Sequence, residues 1–559
     1  MTNGSGPLIV QSDKTVLLEI DHPNADVARA ALAPFAELER APEHIHTYRI
    51  TPLALWNARA AGFDAEQLID VLDSYSRFPI PQALLIDIAE TMARYGRVRI
   101  LDHPAHGLIL ESEDLSVLTE ITRHKNIAPM LGSRIDSETI AVHPSERGRL
   151  KQELIKIGWP AEDLAGYIDG ESHPITLQTG DWNIRDYQKM AAAAFYNGGS
   201  GVVVLPCGSG KTIVGAAAMA KAQVTTLILV TNTLAGRQWR DELLAKTSLT
   251  EAEIGEYSGE KKEIRPVTIA TYQVVTRKSK GEYRALELFD SRDWGLIIYD
   301  EVHLLPAPVF RMTSNLQSRR RLGLTATLIR EDGRESDVFS LIGPKRYDAP
   351  WKDLEMQGFI ASAECIEVRS TMTHDEKMSY AIAETRERYR LAACSESKTS
   401  AVRKILDFHA GDPALIIGAF VEQLEELSEK LGAPLIDGRT RTSRREELFQ
   451  QFREGKVPTL VVSKVANFSI DLPAAQVAIQ VSGTFGSRQE EAQRLGRLLR
   501  PKANKQSVHF YTVVSRDSID AEYAANRQRF LAEQGYAYRI VDLQDLDELL
   551  PQIAPRKEG

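Results

Sequence analysis

The sequence predicts an α/β protein in which two parallel-sheet domains follow two smaller α+β domains. Three observations carry this. From about residue 176 onward, short apolar runs bounded by turn residues alternate with helical stretches, the order that a doubly wound parallel sheet requires. The alternation lapses between about 346 and 400 and then resumes, which divides it into two sheets. The first 175 residues mix strands and helices without that regularity. At 559 residues, a prior of roughly 150 residues per domain gives three or four domains. The divisions fall at 1–102, 103–175, 176–345 and 346–559.

Composition bounds the classes. Apolar residues make up 43% of the chain, ample for real cores, yet no apolar run approaches 18 residues and no basic stretch leads an apolar one at the start. Secretion and membrane spanning are therefore not expected. Three scattered cysteines, Cys207, Cys365 and Cys394, fit a reducing cytoplasm and exclude a four-cysteine iron–sulfur cluster within one chain. The net charge of −9 advertises no global basic field, and the local runs at Lys261-Lys262, Arg319 to Arg321 and Arg439 to Arg445 are more often solvated faces than binding sites.

In the first unit, Thr51 and Pro52 read as N-cap and first residue of a helix that Gly62 stops. Asp64 with Gln67 reads as a capping box, Pro81 to Gly96 as a third helix, and Arg97 to Leu101 as a closing strand. The second unit reads as strand Gly107 to Glu111, helix Leu115 to Arg123, strand Thr139 to Val142 and helix Arg149 to Ile157. Neither unit holds a catalytic cluster, so both are expected to dock, recognise or regulate.

The third unit holds the chemistry. Gly199 to Val214 reads GSGVVVLPCGSGKTIV. Val202 to Leu205 predicts a buried strand and Ile213 to Ala222 an Ala-rich helix, with a glycine turn and Lys-Thr at the junction. Such a junction cradles phosphates: backbone N–H groups around Gly208, Ser209 and Gly210 wrap them, Lys211 reaches the β and γ oxygens, and the Thr212 hydroxyl ligates Mg²⁺. Leu205 stands where the usual pattern begins with glycine, and the plainer alternative is a Lys-Thr at an ordinary helix start. The apolar run Trp294 to Tyr299 answers it, ending in Asp300-Glu301-Val302-His303. Asp300 can hold Mg²⁺, and Glu301 can orient and deprotonate a water, so the pair predicts ATP hydrolysis. Gln188 opens a helix ahead of the loop and can read an adenine edge. Thr231-Asn232-Thr233 and Thr271-Tyr272-Gln273, at the ends of two further strands, are suited to a sugar–phosphate backbone. Thr325 and Thr327, after a basic helix, can tie the site to the rest of the domain, and Arg330-Glu331-Asp332 passes by itself for a surface loop.

In the fourth unit, Thr373 to Ala393 reads as one long polar helix. Strands at Ala414 to Gly418, Pro434 to Ile436, Thr459 to Val462, Val477 to Val481 and Val508 to Val514 then alternate with helices, including Gln489 to Leu499, and no second phosphate loop appears. On that last helix Arg497 and Arg500 share a face at i and i+3.

Gln188, Gly208 to Thr212, Asp300 to His303, Thr325-Ala326-Thr327 and Gln493 to Arg500 together resemble the superfamily 2 helicases. Leu205-Pro206-Cys207, Arg330-Glu331-Asp332, Ser463-Lys464-Val465, Asp471-Leu472-Pro473 and Glu491-Ala492-Gln493-Arg494 narrow the resemblance to the XPB-type DNA repair helicases, and His46-Thr47-Tyr48 with Thr51-Pro52 extends it to the N-terminal region. The resemblance implies two RecA-like motor domains, a damage-recognition-like domain at 103–175, and a short thumb-like insertion near 370–395. It implies an ATP- and Mg²⁺-dependent 3′–5′ DNA helicase acting in nucleotide excision repair. Its partners would be duplex, forked or damaged DNA and a repair nuclease or other repair proteins, in the cytoplasm or on a bacterial nucleoid. It casts Arg497 and Arg500 as arginine fingers in cis, His303 and Gln493 as a link across the cleft, and Arg330, Glu331 and Asp332 as parts of duplex opening. A duplex translocase that does not unwind, an RNA helicase and a scaffold with vestigial hydrolysis are the alternatives; the intact set Lys211, Asp300, Glu301, Arg497 and Arg500 argues against the last.

Overall fold

The structure is a computed structural model. It describes the chain apart from residues 1–5, 42–43, 144–145, 167–168, 181, 207, 277, 280–281, 284–287, 290, 305–319, 327–334, 350, 358, 360–361, 464–474, 484–507, 534–535, 537 and 554–559.

Runs of β-branched and apolar residues flanked by turns fold into two seven-stranded sheets, parallel throughout. In the first the spatial order is Ile254–Tyr257, Val267–Thr271, Thr226–Val230, Leu296–Asp300, Arg320–Thr325, Gly201–Val204 and Lys345–Asp348. In the second it is Leu435–Ile436, Thr459–Ser463, Ala414–Gly418, Val477–Gln480, Val508–Ser515, Ala363–Ser370 and Tyr538–Asp542. Counted along the chain, both sheets have the strand order 3-4-2-5-6-1-7. Ala363–Ser370 therefore stands where Gly201–Val204 stands in the first sheet, and two polar helices follow it in place of a glycine loop.

Several expectations change here. Ala363–Ser370 falls in the stretch where alternation lapses, because its AECIEVRS pattern places charges on an inner strand; Gln528 Nε2 and Arg369 Nε both donate to the buried Glu367 carboxylate, each at 2.6 Å. Thr373 to Ala393 is two helices, His374–Ile382 and Thr385–Ala393. A Thr373–Glu376 capping box starts the first, extended backbone at Ala383 ends it, and Arg388 donates to the Ala381 and Ala383 carbonyls released there. Arg320 and Arg321 lie on a strand, not a basic helix: Arg320 stacks over Tyr196, and buried Arg321 donates to the Leu341 carbonyl. The helix expected over 489–499 lies outside the described residues.

Ahead of these sheets, Leu8–Val10, Thr15–Glu19, Ile45–Arg49 and Glu37–Arg40 form an antiparallel sheet in that order. Thr51 caps helix Pro52–Ala60, and Asp64 with Gln67 closes a capping box on Ala65–Tyr75. A five-stranded sheet follows: Leu131–Arg134, Thr139–Val142, Gly107–Glu111, Val98–His103 and Ala161–Asp163. Val98–His103 hairpins onto Gly107–Glu111, so the boundary drawn at 102 cuts a strand of this second sheet, and Lys345–Asp348 likewise straddles 345. The N-terminal unit touches both large sheets. Asn57 accepts from the Lys345 amide and Arg346 donates to the Ala60 carbonyl, while Ala532, on helix Ile519–Glu533, is buried in the N-terminal core.

Candidate nucleotide site

The site forms at the carboxyl ends of three adjacent strands of the first large sheet, where ligands of open parallel sheets bind. Gly201–Val204 delivers the glycine loop, Leu296–Asp300 delivers the acidic pair, and Arg320–Thr325 lies between them. The turn needs glycine at Gly210: its φ is +81°, and a Cβ there would lie 2.5 Å from Gln188 Nε2.

Gln188 is buried beneath the loop. Its Nε2 donates to the Ser209 carbonyl at 2.8 Å and its Oε1 accepts from the Arg185 amide at 3.0 Å. Tyr187 donates to the same Ser209 carbonyl, and Arg185 reaches the Tyr187 hydroxyl at 3.1 Å while stacking over Phe359. The Gln188 amide thus holds the loop through Nε2 and the start of its own helix through Oε1.

Lys211 is the first residue of helix Lys211–Ala222, and its ammonium donates to Glu301 Oε1 at 2.8 Å. Both groups are largely buried, at 11% and 18% exposure, so the pair is screened little by solvent. Glu301 holds a left-handed backbone, φ +50°, which costs a side-chain-bearing residue about 1–2 kcal/mol and marks a held functional geometry. Its second carboxylate oxygen lies 3.5 Å from His303 Nδ1. That same ring nitrogen meets Thr325 Oγ1 at 2.6 Å, and the Thr325 carbonyl accepts from the Leu205 amide at the root of the loop. Glu301, His303, Thr325 and the phosphate loop thus form one contact chain.

Asp300 is anchored on every side. Oδ2 accepts from the Trp239 indole N–H at 3.0 Å, Oδ1 from the Glu301 amide at 3.1 Å, and its carbonyl from the Tyr272 hydroxyl at 2.8 Å. Burial, then the neighbouring Glu301 charge, push its carboxyl up to about 6, against the pull of Lys211 and the two N–H donors. Two carboxylates therefore share one ammonium in a dry site, and this surplus of negative charge suits a divalent cation. Thr212 faces Glu242, whose carboxyl burial pushes up while the Thr212 hydroxyl offsets part of that.

Four contributors carry no motif: Arg185, Tyr187, Trp239 and Tyr272. Tyr272 belongs to a triplet expected to meet a nucleic-acid backbone, yet it is buried under Asp300. Asn232, expected to do the same, caps helix Thr233–Lys246 by accepting from the Ala235 amide. Trp239 had one signal, a glycine inside the Ala-rich helix opposite it, where alanine would cost less. Cys207, Thr327, Arg330, Glu331, Asp332, Gln493, Arg497 and Arg500 lie outside the described residues.

Residues 354–555 match the family described as ERCC3/RAD25/XPB C-terminal helicase. Residues 181–330 match Type III restriction enzyme, res subunit, and residues 8–136 match a helicase conserved C-terminal domain. The chain is 72% identical over 541 residues to the DNA 3'-5' helicase XPB of Mycobacterium tuberculosis, covering 97% of this chain and 98% of that one. It is 68% identical to the DNA 3'-5' helicase XPB of Kineococcus radiotolerans, covering 98% of each. To the yeast General transcription and DNA repair factor IIH helicase/translocase subunit XPB/SSL2 it is 30% identical, over 99% of this chain and 74% of that one. Two parallel sheets of the same strand order, the first carrying the glycine loop, matched from end to end by these relatives, place the chain in the XPB family of superfamily 2 helicases.

Proposed function

We propose that this chain is an ATP-dependent 3′–5′ DNA helicase that couples hydrolysis at Lys211, Asp300 and Glu301 to opening of duplex DNA, in nucleotide excision repair. The observation that carries it is the Lys211–Glu301 pair, which joins the phosphate loop to the acidic strand across 2.8 Å. Backbone N–H groups of Gly208, Ser209 and Gly210 receive the phosphates, and Gln188, seated at the base of the loop, reads the adenine edge. Lys211 transfers its N–H bonds from Glu301 to phosphate oxygens, which frees Glu301 to accept a proton from the attacking water. Thr212 and Asp300 would hold Mg²⁺, which would supply neutralisation of charge on the phosphate oxygens. Glu301 reports its state through His303 to Thr325, while Thr327 and Gln493 extend that link towards the cleft. Arg497 and Arg500 stabilise transition-state charge when the motor domains close. Arg330, Glu331 and Asp332 act on the duplex and not on ATP. DNA is the partner this reading requires.

The test is ATPase rate and strand separation on duplex, single-stranded, forked and bubble DNA, with Lys211→Ala beside the parental chain. The expected result is DNA-stimulated hydrolysis and 3′–5′ separation that both vanish in Lys211→Ala while its circular-dichroism spectrum shows that it still folds. Near-parental hydrolysis by Lys211→Ala refutes the assignment of the loop. Triplex displacement without strand separation would make the chain a translocase.

A further inference from the structure

Helix Thr233–Lys246 carries no recognised motif, yet it reaches both halves of the nucleotide site. Its buried face is Gly236, Trp239 and Leu243, which packs the indole of Trp239 against helix Lys211–Ala222. The receiving position is Gly215. A Cβ there would lie 2.4 Å from Trp239 Cη2, 3.0 Å from Cζ3 and 3.5 Å from Ile298 Cδ1. Any larger residue must therefore push the ring away. Glycine in the interior of an Ala-rich helix weakens that helix, so its use here marks a close approach. What the approach achieves is a hydrogen bond: the Trp239 indole N–H reaches Asp300 Oδ2 at 3.0 Å, and the residue is 1% exposed. One turn further along, Glu242 faces the Thr212 hydroxyl.

We propose that Trp239 is a positioning residue for the magnesium site, its indole N–H fixing the Asp300 carboxylate, with Gly215 as the gap that admits the ring. This rests on the reading of Asp300 and Thr212 as the magnesium-holding pair. A carboxylate can swing about its last bond. With Oδ1 held by the Glu301 amide at 3.1 Å and Oδ2 by the indole, it cannot, and each oxygen retains a lone pair. Partners that orient a metal ligand in this way commonly set metal affinity by 10–100-fold. Trp239 does not touch the nucleotide; it acts through Asp300.

The experiment titrates Mg²⁺ into the full chain at fixed fluorescent ADP analogue, following nucleotide binding and not turnover. Trp239→Phe keeps the ring and loses the donor. The Mg²⁺ concentration at half-saturation is expected to rise about tenfold, with binding in EDTA unchanged. In turnover, kcat should recover as Mg²⁺ is raised while the KM for ATP stays near parental. A role in packing alone would lower the melting temperature and leave the Mg²⁺ midpoint where it was; that outcome overturns the proposal. Should Trp239→Phe not fold, Gly215→Ala, which displaces the ring without removing it, must give the same rise, and a folded Gly215→Ala with the parental midpoint overturns the proposal equally. If the parental chain itself shows no Mg²⁺ dependence of nucleotide binding, the underlying assignment of the site fails, and Trp239 with it.

Discussion

Lys398 on helix Glu396–Phe408 and Asp520 at the start of helix Ile519–Glu533 form an ion pair of 2.6 Å at 1% and 0% exposure. Lys398 also donates to the Val481 carbonyl at 2.7 Å, and Asp520 accepts from the Ser515 amide at 3.0 Å. Val481 directly follows strand Val477–Gln480, and Gln493, Arg497 and Arg500 come after it in the chain. Replacing Lys398 by Met removes one charge and strands the other in a dry interior. Breaking a buried pair in this way costs about 3–5 kcal/mol. The lower end applies, because buried Arg527 lies close enough to oppose the lysine charge and so stays near Asp520 when the lysine is gone. Lys398→Met/Asp520→Asn removes the stranded charge and keeps an acceptor for Ser515, so its loss should shrink to about 1 kcal/mol, the bond to Val481. Urea unfolding read by hydrogen exchange on Val508–Ser515 measures both. A single variant that costs under about 1 kcal/mol, or a double variant that loses as much as the single one, refutes this account of the pair.

Three further outcomes are expected. Glu301→Gln should keep nucleotide binding, since its side-chain oxygen can still accept from Lys211, but lose turnover; failure to bind a fluorescent nucleotide would make Glu301 structural. Alanine at Arg330, Glu331 and Asp332 together should weaken strand separation strongly while DNA-stimulated ATPase falls much less, and equal loss of both would place the triplet in the ATP cycle. His46 is 3% exposed, and burial, with Arg29 nearby, holds its imidazole down at about 4. The folded chain keeps it neutral, so the unfolded chain takes the proton first as pH falls below about 6.5, and stability drains until about pH 4. About 2 kcal/mol should go between pH 7.5 and pH 5, and His46→Leu should lose that slope in hydrogen exchange of Ile45–Arg49.

The elements that position the site were legible in the sequence because each is locally over-determined. A run of valines into a glycine turn, and an apolar strand ending in two carboxylates, admit few other folds. What escaped depends on distant partners. Ala363–Ser370 looks amphipathic until Gln528, far along the chain, donates a hydrogen bond to the buried Glu367 that Arg369 neutralises. Trp239 looks like a core aromatic until the sheet brings Asp300 beside it. The break at Ala383 is invisible because alanine favours helix; the arginine that captures the freed carbonyls is what makes the break stable. The boundaries drawn at 102 and 345 fall within strands, because a strand's place is set by the strands it pairs with and not by its sequence neighbours.

The N-terminal unit is stitched to one motor sheet through Asn57 and Ala60 and to the other through Ala532. A motor whose two halves are already tied together by a third body cannot open and shut as a bare clamp. Each stroke has to stretch or slide one of these seams. The apolar seam at Ala532 tolerates sliding, because burial has no preferred angle, whereas the seam at Lys345 and Arg346 has directional bonds and resists it. The directional bonds therefore fix the angle between the N-terminal unit and the first motor sheet more tightly than the apolar seam fixes its angle to the second.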